Sequence, residues 1–310
     1  MKVPVSKEAK IGVLMGGLSR EREISLKTGT AILKALQEKG YDARPMDVGH
    51  DIAEALIREK IECAFIALHG RFGEDGAIQG MLELMGIPYT GSGVLASALA
   101  MHKVVSKKIF LYEKIPTPSH EVFNRRDVEK SSKRGVSLPL PVVVKPAREG
   151  STIGISIVRR EEEFLPALRQ AGECDEEILV EAFVKGKEVT VGILDEAPLP
   201  IIEIAPRSGF YDYRSKYTKG ETQYIIPARL PEERYLQAQE VSLRAFKALG
   251  CSGCVRVDVM TDEGGNPFVI DVNTMPGMTE TSLVPQAARH AGIPFGDLAE
   301  RILQGASLKI

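Results

Sequence analysis

The sequence predicts an α/β fold that opens with a Rossmann-like parallel α/β domain and continues as a larger α+β region. Three observations carry this. The first ninety residues alternate short apolar runs with amphipathic segments, a βαβαβα rhythm that implies a parallel sheet covered by helices. After Gly93 the rhythm changes to long helices, prolines and paired strand patterns. The length, 310 residues, suits about two domains at roughly 150 residues each.

The elements follow in order. Residues 10–16 form an apolar run ending in Gly16-Gly17, and 21–39 place Ile24, Ala31, Ile32, Ala35 and Leu36 at a helical period, stopped by Gly40. Residues 43–48 read as a second strand, and Asp51 is a candidate N-cap for a helix to about residue 60. Residues 63–68 form a strand ending at His69-Gly70, 77–85 a helix, and 87–90 a short strand. Ligands of such sheets bind beyond the carboxyl ends of the strands, where Gly16-Gly17-Leu18-Ser19 and His69-Gly70-Arg71 lie. Residues 95–114 read as one helix, broken afterwards by Pro116 and Pro118. Strands are expected at 141–145, 154–158 and 178–181, with a helix at 161–171. Residues 188–195 and 199–205 suggest an antiparallel pair. The polar stretch 206–223 has the length of a functional lid. A long helix at 232–249, a hairpin of 255–260 with 267–272, and two closing helices complete the chain.

Composition narrows the function classes. Forty Lys and Arg against 42 Asp and Glu give a net charge of −2, without the basic excess of a general nucleic-acid binder. Nothing approaches a membrane span, and the N-terminus lacks the apolar core of a signal peptide. Four scattered cysteines make no disulfide framework, so a reducing cytoplasm is expected. Cys251-Ser-Gly-Cys254 has no partner ligands for zinc and reads as a structural turn. Gly91-Ser-Gly-Val-Leu-Ala96 fits the loose dinucleotide fingerprint but follows the wrong strand, so it too reads as a turn, and a dinucleotide-dependent oxidoreductase has little support. No Walker-type P-loop occurs.

Two constellations suggest chemistry. Lys145, at a strand end, precedes the turn Gly150-Ser151-Thr152, whose backbone N–H groups suit an anion nest, although a structural hairpin would read the same. Arg256 and Asp258 share one face of a strand, and Asp271 and Asn273 share one face of its hairpin partner. Val255, Val257, Val259, Phe268, Ile270 and Val272 supply the core face, which leaves two carboxylates and an amide free as hard oxygen ligands for magnesium. Between Glu181 and Glu188, carboxylates could accept hydrogen bonds from a base or ribose, or be ordinary surface charge.

These pieces together resemble the D-alanine–D-alanine ligase family of ATP-grasp enzymes. The resemblance runs through GVLMGGLSREREISL, FIALHGRFGEDGAIQGMLELMGIPYTGSG, VVVKPAREGSTIG, FYDYRSKY, CVRVDVM and NTMPGMTETSLVPQAARHAG. It implies an N-terminal substrate domain over 1–95 and a two-lobed ATP-grasp domain over 96–310, with lobes of about 96–184 and 185–310. It also implies that ATP phosphorylates one D-alanine and that the amine of a second attacks the acyl phosphate. The implied cofactors are ATP and two Mg2+ ions, with Mn2+ as a substitute, and the partners are small molecules and a second copy in a homodimer, not nucleic acid or membrane. Glu21 and His69 are placed at the first D-alanine; Lys103, Lys145 and Lys216 at phosphates; Glu181, Ala182, Phe183 and Val184 at adenine; and Glu188 at ribose. Arg256 and Gly277 fall at the oxyanion, Asp258, Asp271 and Asn273 at the metals, and Ser282 and Leu283 at the second carboxylate. Ser151 and Tyr217 would link the lid to Glu21, and Tyr217 favours a dipeptide over D-lactate use. The alternative is another ATP-grasp ligase with D-lactate or D-serine as second substrate. A catalytically dead relative would lack one of these charged residues, and none is missing. Two departures from the family pattern stand out: Asp271 where Glu is commoner, and His102 where Asp is frequent, the latter read as a helix-surface change.

Overall fold

The computed structural model describes residues 4–128, 135–150, 154–206 and 222–310. Its first layer is parallel. Strands β1 (Ile11–Met15), β2 (Ala43–Asp47) and β3 (Cys63–Ile66) lie in the order β2-β1-β3, and Tyr89 bridges in parallel to Ala64 at the β3 edge. Helix α1 (Arg22–Glu38) packs Ile32 and Leu36 on one face, while α2 (Ile52–Glu59) and α3 (Ala77–Met85) cover the other with Leu56 and Leu82. Burial on both faces is why β1 and β3 read as unbroken apolar runs. Asp51 stands at the N-cap of α2, but its side chain makes no cap hydrogen bond.

The expected single helix after Gly93 is two: α4 (Val94–Met101) and α5 (Lys103–Tyr112). His102 separates them with φ −96° and ψ 88°, outside helical values. His102 is therefore a hinge position and not a helix-surface residue; its Nε2 lies 2.9 Å from a Glu177 carboxylate oxygen. The break lets α5 start with Lys103 turned inward, its backbone N–H donating to the Ala147 carbonyl.

A four-stranded antiparallel sheet follows, ordered β4-β7-β5-β6, from β4 (His120–Asn124), β5 (Val142–Pro146), β6 (Ser156–Val158) and β7 (Glu177–Ala182). Helix α6 (Phe164–Cys174) covers it with Phe164, Leu168 and Ala171. Strand β4 escaped sequence reading because its burial is partial and it lies at an edge.

The third sheet is antiparallel and ordered β11-β10-β8-β12-β13, with β9 (Ala197–Pro198) beside β8. Its other members are β8 (Gly186–Leu194), β10 (Ile202–Pro206), β11 (Thr222–Ile225), β12 (Cys254–Asp262) and β13 (Pro267–Asn273). The outer residues of the expected lid thus belong to strands: Pro206 ends β10 and Thr222 begins β11, opposite each other in register. Residues 207–221 lie outside the described residues. Helix α7 (Glu232–Ala248) packs on this sheet with Ala238, Val241 and Phe246. The closing helices α8 (Leu283–His290) and α9 (Phe295–Gln304) return to the first layer, where Leu298 and Ile302 join the core around Ile11 and Leu36. Among the described residues no helix is long and apolar enough to cross a membrane.

The two turns read as structural are built against each other. Ser252 Oγ donates to the Gly91 carbonyl at 2.8 Å, and Ser92 Oγ accepts from the Ser252 N–H at 3.1 Å. Cys251 and Cys254 are free buried thiols, and burial pushes both up to about 12, far from the thiolate a redox dithiol needs.

Candidate active site

The β12–β13 pair builds the centre. In register, Arg256 faces Asn273 and Asp258 faces Asp271. The two polar pairs inferred from period-2 spacing are therefore brought together on one face, while Val255, Val257 and Val259 are fully buried on the other. One part of the sequence expectation is corrected. A bulge after Asp258 inserts Ile270, so the core positions of β13 are Val269 and Val272, not Phe268, Ile270 and Val272. The inserted residue breaks the alternation and turns Ile270 toward the cleft.

Two carboxylates directly opposite on a sheet repel each other. Here each has a cation. Arg256 Nε and Nη2 donate to the Asp258 oxygens at 2.9 and 2.8 Å, and Thr190 Oγ1 donates to Asp258 Oδ1 at 2.7 Å. Lys103 Nζ lies 3.3 Å from Asp271 Oδ2 and donates to the Glu149 carbonyl at 3.0 Å. Asn273 Oδ1 accepts from the Met275 N–H at 2.9 Å. Among the described residues no group of three or more His, Cys, Asp or Glu side chains is placed for a metal. The donor set here is two carboxylates and an amide oxygen, which suits magnesium completed by phosphate and water rather than a protein cage. Facing carboxylates that need cations to coexist fit that group.

Two cavities meet at this strand pair. The larger, about 510 Å³, lies between the four-stranded and third sheets, with Lys103, Lys145, Glu181, Met260 and Ile270 in its wall. The β7–β8 connection closes one end, where Ala182, Phe183, Val184 and Glu188 all line it. The smaller, about 300 Å³, lies toward the carboxyl ends of β1 and β3 and is lined by Glu21, His69, Gly277, Ser282 and Leu283. Arg256, Asp258 and Asn273 border both.

In the smaller cavity Glu21 stands just before α1. Gly70 has a φ of +71°, which favours glycine, and a Cβ there would come within 2.8 Å of Glu21 Oε2 and displace that carboxylate. His69 is buried, its Nε2 3.2 Å from Thr28 Oγ1 and its Nδ1 3.7 Å from Glu74. Ser282 is the N-cap of α8, and its Oγ accepts from the Thr279 N–H at 3.0 Å. The free first-turn N–H groups at Leu283 favour an anion there. A Cβ on Gly277 would approach Ser282 Oγ to 3.2 Å, which keeps that backbone close to the cap.

In the larger cavity Glu181 is not the exposed carboxylate that surface charge would give. It is buried and ion-paired with both Lys145 and Lys107. Burial alone would raise its pKa, but the two ammonium groups outweigh that and hold it at about 2. Lys107 was missed in the sequence; the available signal was its i+4 spacing from Lys103, which puts both on one face of α5. Thr190 was missed because a lone threonine on a strand carries no pattern. Ser151, Lys216 and Tyr217 lie outside the described residues.

Family models for the D-ala D-ala ligase N-terminus and C-terminus match residues 50–92 and 110–304. The chain belongs to the D-alanine–D-alanine ligase family. It is 54% identical over 310 residues to the D-alanine–D-alanine ligase of Geotalea uraniireducens, covering 100% of this chain and 99% of that one. It is 55% identical to that of Syntrophotalea carbinolica, with 97% of each chain covered. Its fold is similar to the crystal structure of the Bacillus anthracis D-alanine–D-alanine ligase complexed with ATP, with a TM-score of 0.83, 36% identity and 96% and 97% of the two chains covered. It is also similar to the VanG D-Ala:D-Ser ligase of Enterococcus faecalis, with a TM-score of 0.80, 31% identity and 95% and 98% covered. The ATP-grasp expectation for the fold is met.

Proposed function

We propose that the protein joins two D-alanines into D-alanyl-D-alanine with cleavage of ATP to ADP and phosphate, as a step toward peptidoglycan. The observation that carries this is the meeting of a nucleotide-sized cleft and an amino-acid-sized cavity at Arg256, Asp258 and Asn273. Two reactants must converge on one acyl phosphate, and that is where the two spaces join.

The first D-alanine lies in the smaller cavity, its ammonium near Glu21 and His69 and its carboxylate toward Arg256. Lys103 and Lys145 bind and orient the phosphates, with Glu181 and the 182–184 backbone at adenine and Glu188 at ribose. The carboxylate oxygen attacks the γ-phosphorus and ADP leaves, which converts a poor electrophile into an acyl phosphate. The second amine then attacks the acyl carbon. Arg256 and the Gly277 N–H stabilise the tetrahedral oxyanion, which collapses with loss of phosphate. Ser282 and the Leu283 N–H hold the second carboxylate. Asp258, Asp271 and Asn273 would hold magnesium, which supplies charge neutralisation to the phosphates. The family resemblance assigns Ser151 and Tyr217 to a link between the lid and Glu21, and Lys216 to the γ-phosphate. Domains of 1–95 and 96–310, a homodimer and a cytoplasmic place beside the ATP supply belong to the same reading.

The test is product analysis by mass spectrometry after incubation with ATP, Mg2+ and D-alanine, with D-serine and D-lactate offered in competition. The expected product is D-alanyl-D-alanine. A dominant D-alanyl-D-serine or D-alanyl-D-lactate product would move the chain to the other branch of the family.

A further inference from the structure

Lys107, Glu181 and Lys145 form a buried row with side-chain exposures of 2%, 4% and 7%. With all three groups ionised, the row holds one surplus positive charge; burial pulls the Lys107 pKa down, and the Glu181 charge opposes that. The two lysines are not equivalent. Lys107 is not itself in the cleft wall; its Nζ donates to Thr117 Oγ1 at 2.5 Å and to the Pro118 carbonyl at 3.5 Å. Thr117 in turn donates to the Val269 carbonyl of β13 at 2.8 Å, which ties this lysine to the strand that carries Asp271. Lys145 lines the cleft, and among the described residues Glu181 is its ion-pair partner.

We propose that Lys107 is a positioning residue for nucleotide binding: it is the permanent counter-ion of Glu181 and frees Lys145 to pass from Glu181 to a phosphate. This rests on the reading of the larger cleft as the ATP site. The physical reason is the cost of a buried carboxylate left without a cation. With Lys107 in place, an incoming polyanion can take Lys145 while Glu181 stays paired and oriented. The surplus positive charge of the row is then matched by the ligand. Without Lys107, phosphate and Glu181 would compete for the same ammonium.

The experiment is a binding cycle on the full chain with Mg2+ and a non-hydrolysable ATP analogue, read by calorimetry with no amino acid present. Lys107→Met is expected to weaken the analogue at least about tenfold. Glu181→Gln keeps a carbonyl acceptor but removes the charge that Lys107 neutralises. The double variant is therefore expected within about threefold of Glu181→Gln alone, well short of the sum of the two single effects. Unchanged affinity in Lys107→Met would overturn the proposal, as would a double variant about tenfold weaker than Glu181→Gln. If Lys107→Met does not fold, the comparison of Glu181→Gln with the double variant decides alone: a tenfold difference overturns the idea. A wild-type chain that binds no nucleotide overturns it as well. A chain that obeys the cycle yet makes no D-alanyl-D-alanine would leave this inference standing and remove the proposed function.

Discussion

Replacement of Arg256 by Ala tests the centre of the proposed chemistry. The guanidinium is four-fifths buried and holds Asp258 through two hydrogen bonds of 2.9 and 2.8 Å. Its fork is preorganised, so it needs no rearrangement when charge develops on the acyl oxygen. Loss of one such donor costs about 2.7–4 kcal/mol, or about 10²–10³ in kcat. The residues proposed for the nucleotide lie on other elements: Lys103 on α5, Lys145 on β5 and Glu181 on β7. KM for ATP should therefore stay within about threefold. Asp258 keeps its Thr190 hydrogen bond, so the strand pair should persist. The assay is phosphate release at saturating ATP and D-alanine, with KM for each substrate measured separately. Arg256→Lys, which keeps the charge and loses the fork, should fall between Ala and wild type. A kcat within about threefold of wild type in Arg256→Ala would refute the oxyanion role. A rise in KM for ATP with kcat unchanged would instead make Arg256 a support for the nucleotide site.

Four further outcomes follow from the geometry. Asp271→Asn, which removes one of the two facing carboxylates, should raise the Mg2+ concentration for half-maximal activity at least about tenfold in a metal titration. Gly277→Ala places a Cβ 3.2 Å from Ser282 Oγ and should raise KM for the second D-alanine more than for ATP, as initial-rate kinetics would show. Glu181 has a depressed pKa, so its contribution to stability is full above the ordinary glutamate range near 4.5 and lost as pH falls toward about 2. Urea melts between those pH values should therefore show a shallower acid limb in Glu181→Gln, by up to one proton, or about 1.4 kcal/mol per pH unit. Native alkylation with iodoacetamide at pH 8 should label half-buried Cys174 before Cys63, Cys251 and Cys254, whose thiols burial pushes up to about 12.

What the sequence could and could not reveal divides along physical lines. Periodicity exposed the parallel layer because both faces of β1 and β3 are buried and their residues are uniformly apolar. It exposed the Arg256–Asp258 and Asp271–Asn273 faces because a strand repeats every two residues. It failed at the bulge, where one inserted residue, Ile270, reverses which neighbours face the core. It failed at His102, since a helix break without Gly or Pro leaves no mark in hydrophobic spacing. Edge strands β4 and β11 were hidden for a related reason: partial burial relaxes the alternation.

The failures share a location. The bulge sets Ile270 into the larger cleft, the His102 break aims Lys103 at Asp271, and Lys107 sits one turn further on against Glu181. Each is a local departure from regular structure or a charge carried into the interior, and each is tolerated because another group compensates. Facing carboxylates are held by Arg256 and Lys103, and the buried Glu181 by two lysines. A site that must bind a polyanion cannot be neutral in its parts, so its charges are stored as internal ion pairs. On the proposed reading binding is then exchange: phosphate for Glu181 at Lys145, and metal for Lys103 at Asp271. Such an exchange would keep every buried charge compensated before and after the ligand arrives, so a strongly charged cleft is compatible with a chain that carries only −2 as a whole.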